Sequence, residues 1–338
     1  MYEKTEQDII KNWIGDINKP LVSIKCLAYN HEKVIKNALD GFLMQKTNFP
    51  FEIIVHDDAS HDKTASIIKE YEKEYPLIIK PIYENENQYS KKDDSLNEII
   101  SSRIKGKYVA YCEGDDYWID ENKLQNQIDY LESNEKCSLV LTNCYEEDFV
   151  KHSRTEGYPY SSNKGLYSRK IPINEIIMEK GTLPPTCSIV VRASSINSMP
   201  PFFKKAPVGD KPLRFYMASI GDIYYMNKIT CVHRFNVEGS FGVRVKNKKI
   251  ASMVYNEMNT FFDNYNCYTD YKYQKEIEYA KSVSHFSYCT RAKKLFGLLK
   301  NSYFQSNFSL KSKAKIIILL VVPEKIKKIL KGVIKNDK

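Results

Sequence analysis

Three carboxylates stand within four residues in Glu113-Gly114-Asp115-Asp116, directly after the apolar run Tyr108 to Cys112. Carboxylates set that close repel one another unless a cation neutralises them. Hard oxygen donors of this kind suit Mg²⁺ or Mn²⁺, held by one or two protein carboxylates together with substrate phosphates. The plainer alternative is a turn, with Gly114 supplying backbone freedom and Asp115 and Asp116 as turn formers. A second acidic pair opens the run Asp57-Asp58-Ala59-Ser60-His61-Asp62-Lys63-Thr64. On its own, Asp58 or Ser60 reads equally as a helix cap. Neither G-x-G-x-x-G nor G-K-[ST] occurs anywhere in the chain, which excludes a dinucleotide fingerprint and a P-loop. A diphosphate bound here would depend on the metal.

Such residues act together only if strands deliver them to one edge of a sheet. Residues 21–146 alternate β-rich runs (Leu21 to Ala28, Phe51 to Val55, Leu77 to Tyr83, Tyr108 to Cys112, Ser138 to Thr142) with helical spacings over Lys33 to Gln45 and Thr64 to Tyr75. This pattern predicts βα units wound around a largely parallel sheet, whose ligands bind outside the carboxyl ends of the strands. Both acidic pairs then border one crevice. Lys151 to Arg169 is polar and rich in Ser, Tyr and Gly, as a surface loop would be. Prolines break residues 181–212 into short pieces, Phe215 to Arg234 returns to helix then strand, and past Ile250 the pattern is helical, interrupted by Pro323.

With 42% hydrophobic and 28% charged residues in 338, the chain can bury a full core and is neither disordered nor fibrous. Its eight cysteines show no C-x-x-C spacing and read as reduced, mostly buried thiols. The charged start, Met1 to Glu6, lacks the pattern of a secretory signal, so a cytoplasmic location is the expectation. Residues 291–338 hold 13 basic and 2 acidic residues, a balance of +11, whereas residues 1–290 carry −2. The apolar run Ile316 to Val322 falls far short of the ~20 residues that span a bilayer. After Pro323, the apolar residues Ile326, Ile329, Leu330, Val333 and Ile334 form a helical stripe between lysines. That is the pattern of a helix lying on an anionic membrane surface; a solvated lysine face with its stripe packed on the domain would look the same.

The run Val22-Ser23-Ile24-Lys25-Cys26-Leu27-Ala28-Tyr29-Asn30, the Asp57 to Thr64 run and Glu113-Gly114-Asp115-Asp116 together resemble the family 2 glycosyltransferases of the GT-A nucleotide-sugar fold. Order and spacing hold over residues 20–145. The resemblance implies an α/β fold with a mixed, mostly parallel sheet flanked by helices and a helical, basic C-terminal extension. Residues 1–245 would be the transferase domain, with a nucleotide-sugar half (20–146) and an acceptor half (147–245), and residues 246–338 the helical region. Ala28, Tyr29, Asn30, Asp57 and Asn97 would line the donor site, with Asp58 hydrogen-bonding the nucleotide base. Asp115 would ligate Mn²⁺ or Mg²⁺ on the diphosphate, assisted by Glu113 and Asp116, with Gly114 among the donor-binding positions. The family's catalytic base corresponds to Asp210, which also suits an ordinary helix cap. His233 would be a metal ligand or donor and Arg234 a bidentate phosphate contact. The sequence departs from the family at Glu113, where Asp is commoner, and at Ala59, where Gly is.

The implied activity is inverting, metal-dependent transfer of a hexosyl or N-acetylhexosaminyl group from a nucleotide sugar, UDP-linked for preference. Its acceptor would be a glycan or a lipid-linked saccharide in bacterial polysaccharide synthesis, at the inner face of the cell membrane. Two other classes compete. A nucleotidyltransferase would carry a Gly-rich basic loop where Tyr29-Asn30-His31-Glu32 stands. A non-catalytic nucleotide-sugar or membrane-binding module would keep the fold without the chemistry. The slight acidity of residues 1–290 weighs against nucleic acid as a partner.

Overall fold

The computed structural model describes residues 3–91, 93–155, 167–178 and 183–321. The chain divides into two compact units between Ser240 and Phe241.

The first unit opens with helix α1 (Glu6–Ile10), whose Thr5 and Asp8 form a reciprocal capping box. Strand β1 (Val22–Ala28), helix α2 (Ile35–Leu43), β2 (Phe51–Asp57), α3 (Thr64–Glu74) and β3 (Ile79–Tyr83) follow. Then come α4 (Ser95–Ser101), β4 (Tyr108–Tyr111), β5 (Tyr117–Trp118), α5 (Lys123–Ser133) and β6 (Cys137–Asp148). Among the described residues ten strands make one sheet, in the order β3-β2-β1-β4, then β9 (Val190–Arg192), β6, β10 (Asp222–Phe235) and β5. The first four are mutually parallel, β9 runs antiparallel to both neighbours, and β10 lies parallel to β6 and antiparallel to β5. The sheet is therefore mixed, with its parallel part built from βα units as the alternation predicts. Seven consecutive buried residues in β2 mark a strand covered on both faces.

Residues 153–171 depart from the expected plain loop. Short strands β7 (Ser153–Thr155) and β8 (Arg169–Ile171) pair back onto β6 and β10; residues 156–166 lie outside the described set. Both added strands are short and polar, so burial leaves no alternation to read. Helices α6 (Ile173–Met178), α7 (Ala193–Asn197) and α8 (Pro201–Lys204) lead to α9 (Asp210–Ile220), which feeds β10.

The second unit is helical: α10 (Phe241–Arg244), α11 (Lys248–Tyr268), α12 (Gln274–Ala292), α13 (Leu295–Leu299), α14 (Ser302–Asn307) and α15 (Leu310–Val321). Asn247 caps α11, accepting from the Lys249 and Ile250 amides, and Tyr255 stacks on Tyr288 across α11 and α12. Cys289, Leu298 and Phe304 form a small core with Ile316, Ile317 and Leu320 packed against it. No helix of the described residues is long and apolar enough to cross a membrane. The stripe expected after Pro323 lies outside those residues.

Candidate active site

Parallel pairing sets Ala28 beside Asp57 and Lys25 beside Tyr111, so β1, β2 and β4 end on one edge of the sheet. The chain past β4 keeps to β1: the Cys112 amide donates to the Lys25 carbonyl (3.1 Å) and the Gly114 amide to that of Leu27 (2.8 Å). A side chain at Gly114 would put its Cβ 2.8 Å from Ile35 Cδ1, 2.9 Å from His31 Nδ1 and 3.2 Å from the Leu27 oxygen. Only glycine lets the acidic tip approach β1 this closely.

The three carboxylates at the tip have separate surroundings. Asp116 is buried, and its Oδ1 accepts the Arg234 amide at 2.8 Å; burial, then the Asp115 charge, pushes its carboxyl up. Burial likewise raises the Glu113 carboxyl to about 8, with Asp116, Asp115 and Asp210 adding like charge. The Asp115 carboxylate is half-buried and takes no hydrogen bond from the described residues; only its backbone carbonyl is engaged, by Arg234. Among the described residues no three His, Cys, Asp or Glu side chains are arranged to hold a metal ion. The expected set of Asp115, Asp116 and His233 is thus not assembled, because Asp116 is turned into the fold. What remains is an open Asp115 beside Glu113, hard oxygen donors that fit Mg²⁺ or Mn²⁺ when phosphate oxygens complete the shell. His233, on β10, keeps a buried Nδ1 without a partner among the described residues.

Arg234 does something other than reach for phosphate. It is buried, with Nε on Glu147 (2.9 Å), Nη1 on the Asp115 carbonyl (3.2 Å) and Nη2 on Asn37 (2.9 Å), and the guanidinium lies 4.1 Å over the Tyr117 ring. It braces the acidic tip from behind. Trp118 completes the brace, its indole donating to the Cys187 carbonyl at 2.9 Å and meeting Phe42 edge-on.

The Asp57 to Thr64 run divides in the same way. Both oxygens of Asp58 accept backbone amides, from Gln88 at 2.6 Å and Tyr89 at 3.1 Å. Asp58 is committed to that loop rather than to a base. Asp57 is buried with Oδ1 unpartnered; burial raises its carboxyl despite a hydrogen bond from Ser60. The run is stapled to the loop after β1: the Asn30 amide donates to Ser60 Oγ (2.9 Å), the His61 amide to Asn30 Oδ1 (2.9 Å) and the Glu32 amide to Asp62 (3.0 Å). Asn30 and Ala59 both adopt left-handed φ, of 55° and 60°, the region that explains a family preference for Gly at the second position. Tyr29 is exposed and meets His61 edge-on, while the Ala28 carbonyl accepts the Asp58 amide.

Asp210 is the first residue of α9, after a Gly209 cap, and pairs with buried Arg214 at 2.9 Å. Burial pushes its carboxyl up, but the Arg214 and Lys211 charges outweigh that and hold it below the usual carboxylate range. Its charge is the smallest of those that raise the Glu113 carboxyl.

Two residues were missed by the motif search. Lys25 reaches Asn97 Oδ1 (3.4 Å) and lies 5.8 Å from the Tyr111 ring; burial lowers its amine, while Glu113 and Asp94 pull the other way. His31 Nδ1 is buried and unpartnered beside Gly114, its ring held neutral by burial against the pull of Asp115. A charged residue inside an apolar strand was the available signal for Lys25. Asn97 itself also accepts no isolated role, since its Nδ2 donates to Asp94 at 2.8 Å.

Residues 23–195, just over half the chain, match the profile of Glycosyl transferase family 2. Uncharacterized protein Rv1520 of Mycobacterium tuberculosis is 33% identical over 224 residues, 64% of this chain and 60% of the relative, so the chain spans less than two thirds of that protein. The Escherichia coli UDP-Glc:alpha-D-GlcNAc-diphosphoundecaprenol beta-1,3-glucosyltransferase WfaP is 36% identical over 131 residues, 38% of this chain and 49% of the relative. Among solved structures, S. aureus TarS 1-349 in complex with UDP-GlcNAc superposes with a TM-score of 0.59 at 17% identity, over 90% of this chain and 82% of that TarS fragment. At that identity the likeness concerns the fold alone.

Proposed function

The chain belongs to glycosyl transferase family 2, and from that premise we propose that it moves a sugar from a nucleotide-sugar donor to an acceptor hydroxyl, with inversion, in bacterial polysaccharide synthesis. The observation that carries this reading is the open Asp115 beside Glu113 at the end of β4, on the sheet edge where β1 and β2 also end. Asp115 and Glu113 would hold Mn²⁺ or Mg²⁺, which when bound supplies charge neutralisation for a departing diphosphate. Asp57, with its unpartnered oxygen, and Lys25, with its amine beside Asn97, offer an acceptor and a donor to the nucleotide end. Asp210 takes the proton of the acceptor hydroxyl as its oxygen bonds to the anomeric carbon. The bond from that carbon to the diphosphate oxygen breaks, and the electron pair leaves with the nucleoside diphosphate. Arg214 keeps Asp210 ionised and aimed, and Arg234 with Trp118 keeps the tip in place. The names of WfaP and of the TarS complex support a UDP-sugar donor, and that of WfaP a lipid-diphosphate-linked saccharide acceptor.

The test is nucleoside-diphosphate release from a panel of sugar nucleotides, with polyprenyl-diphosphate saccharides as acceptors. Asp210→Asn is expected to keep donor binding and lower turnover by about 10²–10⁴-fold. Turnover equal to that of the parent protein would remove Asp210 from the reaction.

A further inference from the structure

We infer that the face of the second unit formed by α13 and α15 docks on an anionic lipid surface. Among the described residues, Leu310 and Phe296 are the two most exposed large apolar side chains, at 85% and 81%. Leu299, Ile318 and Val321 from the same two helices are exposed as well. Helix α15 explains the pattern: Ile316, Ile317 and Leu320 turn inward onto the Cys289, Leu298 and Phe304 core, which leaves Ile318 and Val321 on the outer side with Lys311 and Lys315. A helix that spends one apolar face on its own core and keeps more apolar side chains outside has a second surface to cover.

Charge decides what covers it. Residues 291–321 contain seven lysines and arginines and no acidic residue, and the sequence beyond Val321 adds six lysines against Glu324 and Asp337. Exposed apolar side chains set among unpaired-sign cations fit a bilayer interface with anionic headgroups, where phenylalanine and leucine enter the acyl boundary and lysines stay with the phosphates. A second copy of the chain would bring the same positive charge to the contact and be repelled. This surface stands apart from the transfer reaction, so either reading can fail without the other.

Co-sedimentation of the full chain with phosphatidylcholine vesicles, with and without phosphatidylglycerol, tests it. Binding is expected only with phosphatidylglycerol and is expected to weaken as salt is raised. The variant Phe296→Ser/Leu310→Ser and the charge reversal Lys311→Glu/Lys315→Glu should each lower partitioning about tenfold or more, with an unchanged circular dichroism spectrum and unchanged nucleotide binding as folding controls. Undiminished sedimentation of both variants would overturn the assignment of this face, as would equal binding to neutral vesicles. Lipid-free dimers that both variants abolish would assign the face to a second copy and overturn it too.

Discussion

At the scale of single residues, the tip separates three neighbouring carboxylates by giving each different company. Asp116 is consumed by the Arg234 amide, Asp115 is left open, and Glu113 is held in its protonated form by burial and by the charges around it. This has a measurable cost for the empty protein. An unfolded chain releases the Glu113 proton in the ordinary carboxylate range, whereas the folded one keeps it to about pH 8. Between those values the folded state binds the extra proton, so stability falls as pH rises through that window. Glu113→Gln, neutral throughout, removes that fall. The variant should melt a few degrees above the parent at pH 8.5 and no higher at pH 4. Parallel melting curves across the range would show that Glu113 ionises normally.

At the scale of elements, the site is made by strand ends and by the loops that bind them to one another. That β1 to β4 are strands of a largely parallel sheet was legible, because βα alternation and strand length need only local pattern; their order β3-β2-β1-β4 was not, because it is set by which strands pair across the sheet. The presence of the acidic tip at the end of β4 was legible from local pattern too. The division of labour within each motif was not. Asp58 and Asp57 are adjacent and chemically identical, and only the amides of Gln88 and Tyr89, about thirty residues on in the chain, decide which one is left open. Arg234 has the right chemistry for phosphate, yet Asn37 and Glu147 claim it through contacts that no spacing encodes. Strand β9, which separates β4 from β6, is three residues long and left no readable signal. One element-level consequence concerns Gly114. Gly114→Ala forces a methyl group against the Leu27 carbonyl, Ile35 and His31, which should cost about 1–3 kcal/mol in urea unfolding and displace the tip enough to weaken nucleotide binding. A variant as stable as its parent would mean that the loop after β4 relaxes freely.

At the scale of the whole molecule, chemistry and charge are segregated. Every residue assigned to sugar transfer lies in the first unit, and the surplus of +11 lies in residues 291–338, within the second. The family match, residues 23–195, falls wholly within the first unit. The central claim, that the open end of β4 takes a nucleotide sugar together with a divalent cation, is tested most directly by calorimetric titration of UDP-sugars into the full chain with and without Mn²⁺, beside Asp115→Asn. Manganese should be required for tight uptake, and Asp115→Asn should lose that requirement along with the affinity. Donor uptake that ignores manganese and survives Asp115→Asn, or no uptake of any sugar nucleotide under either condition, would contradict it.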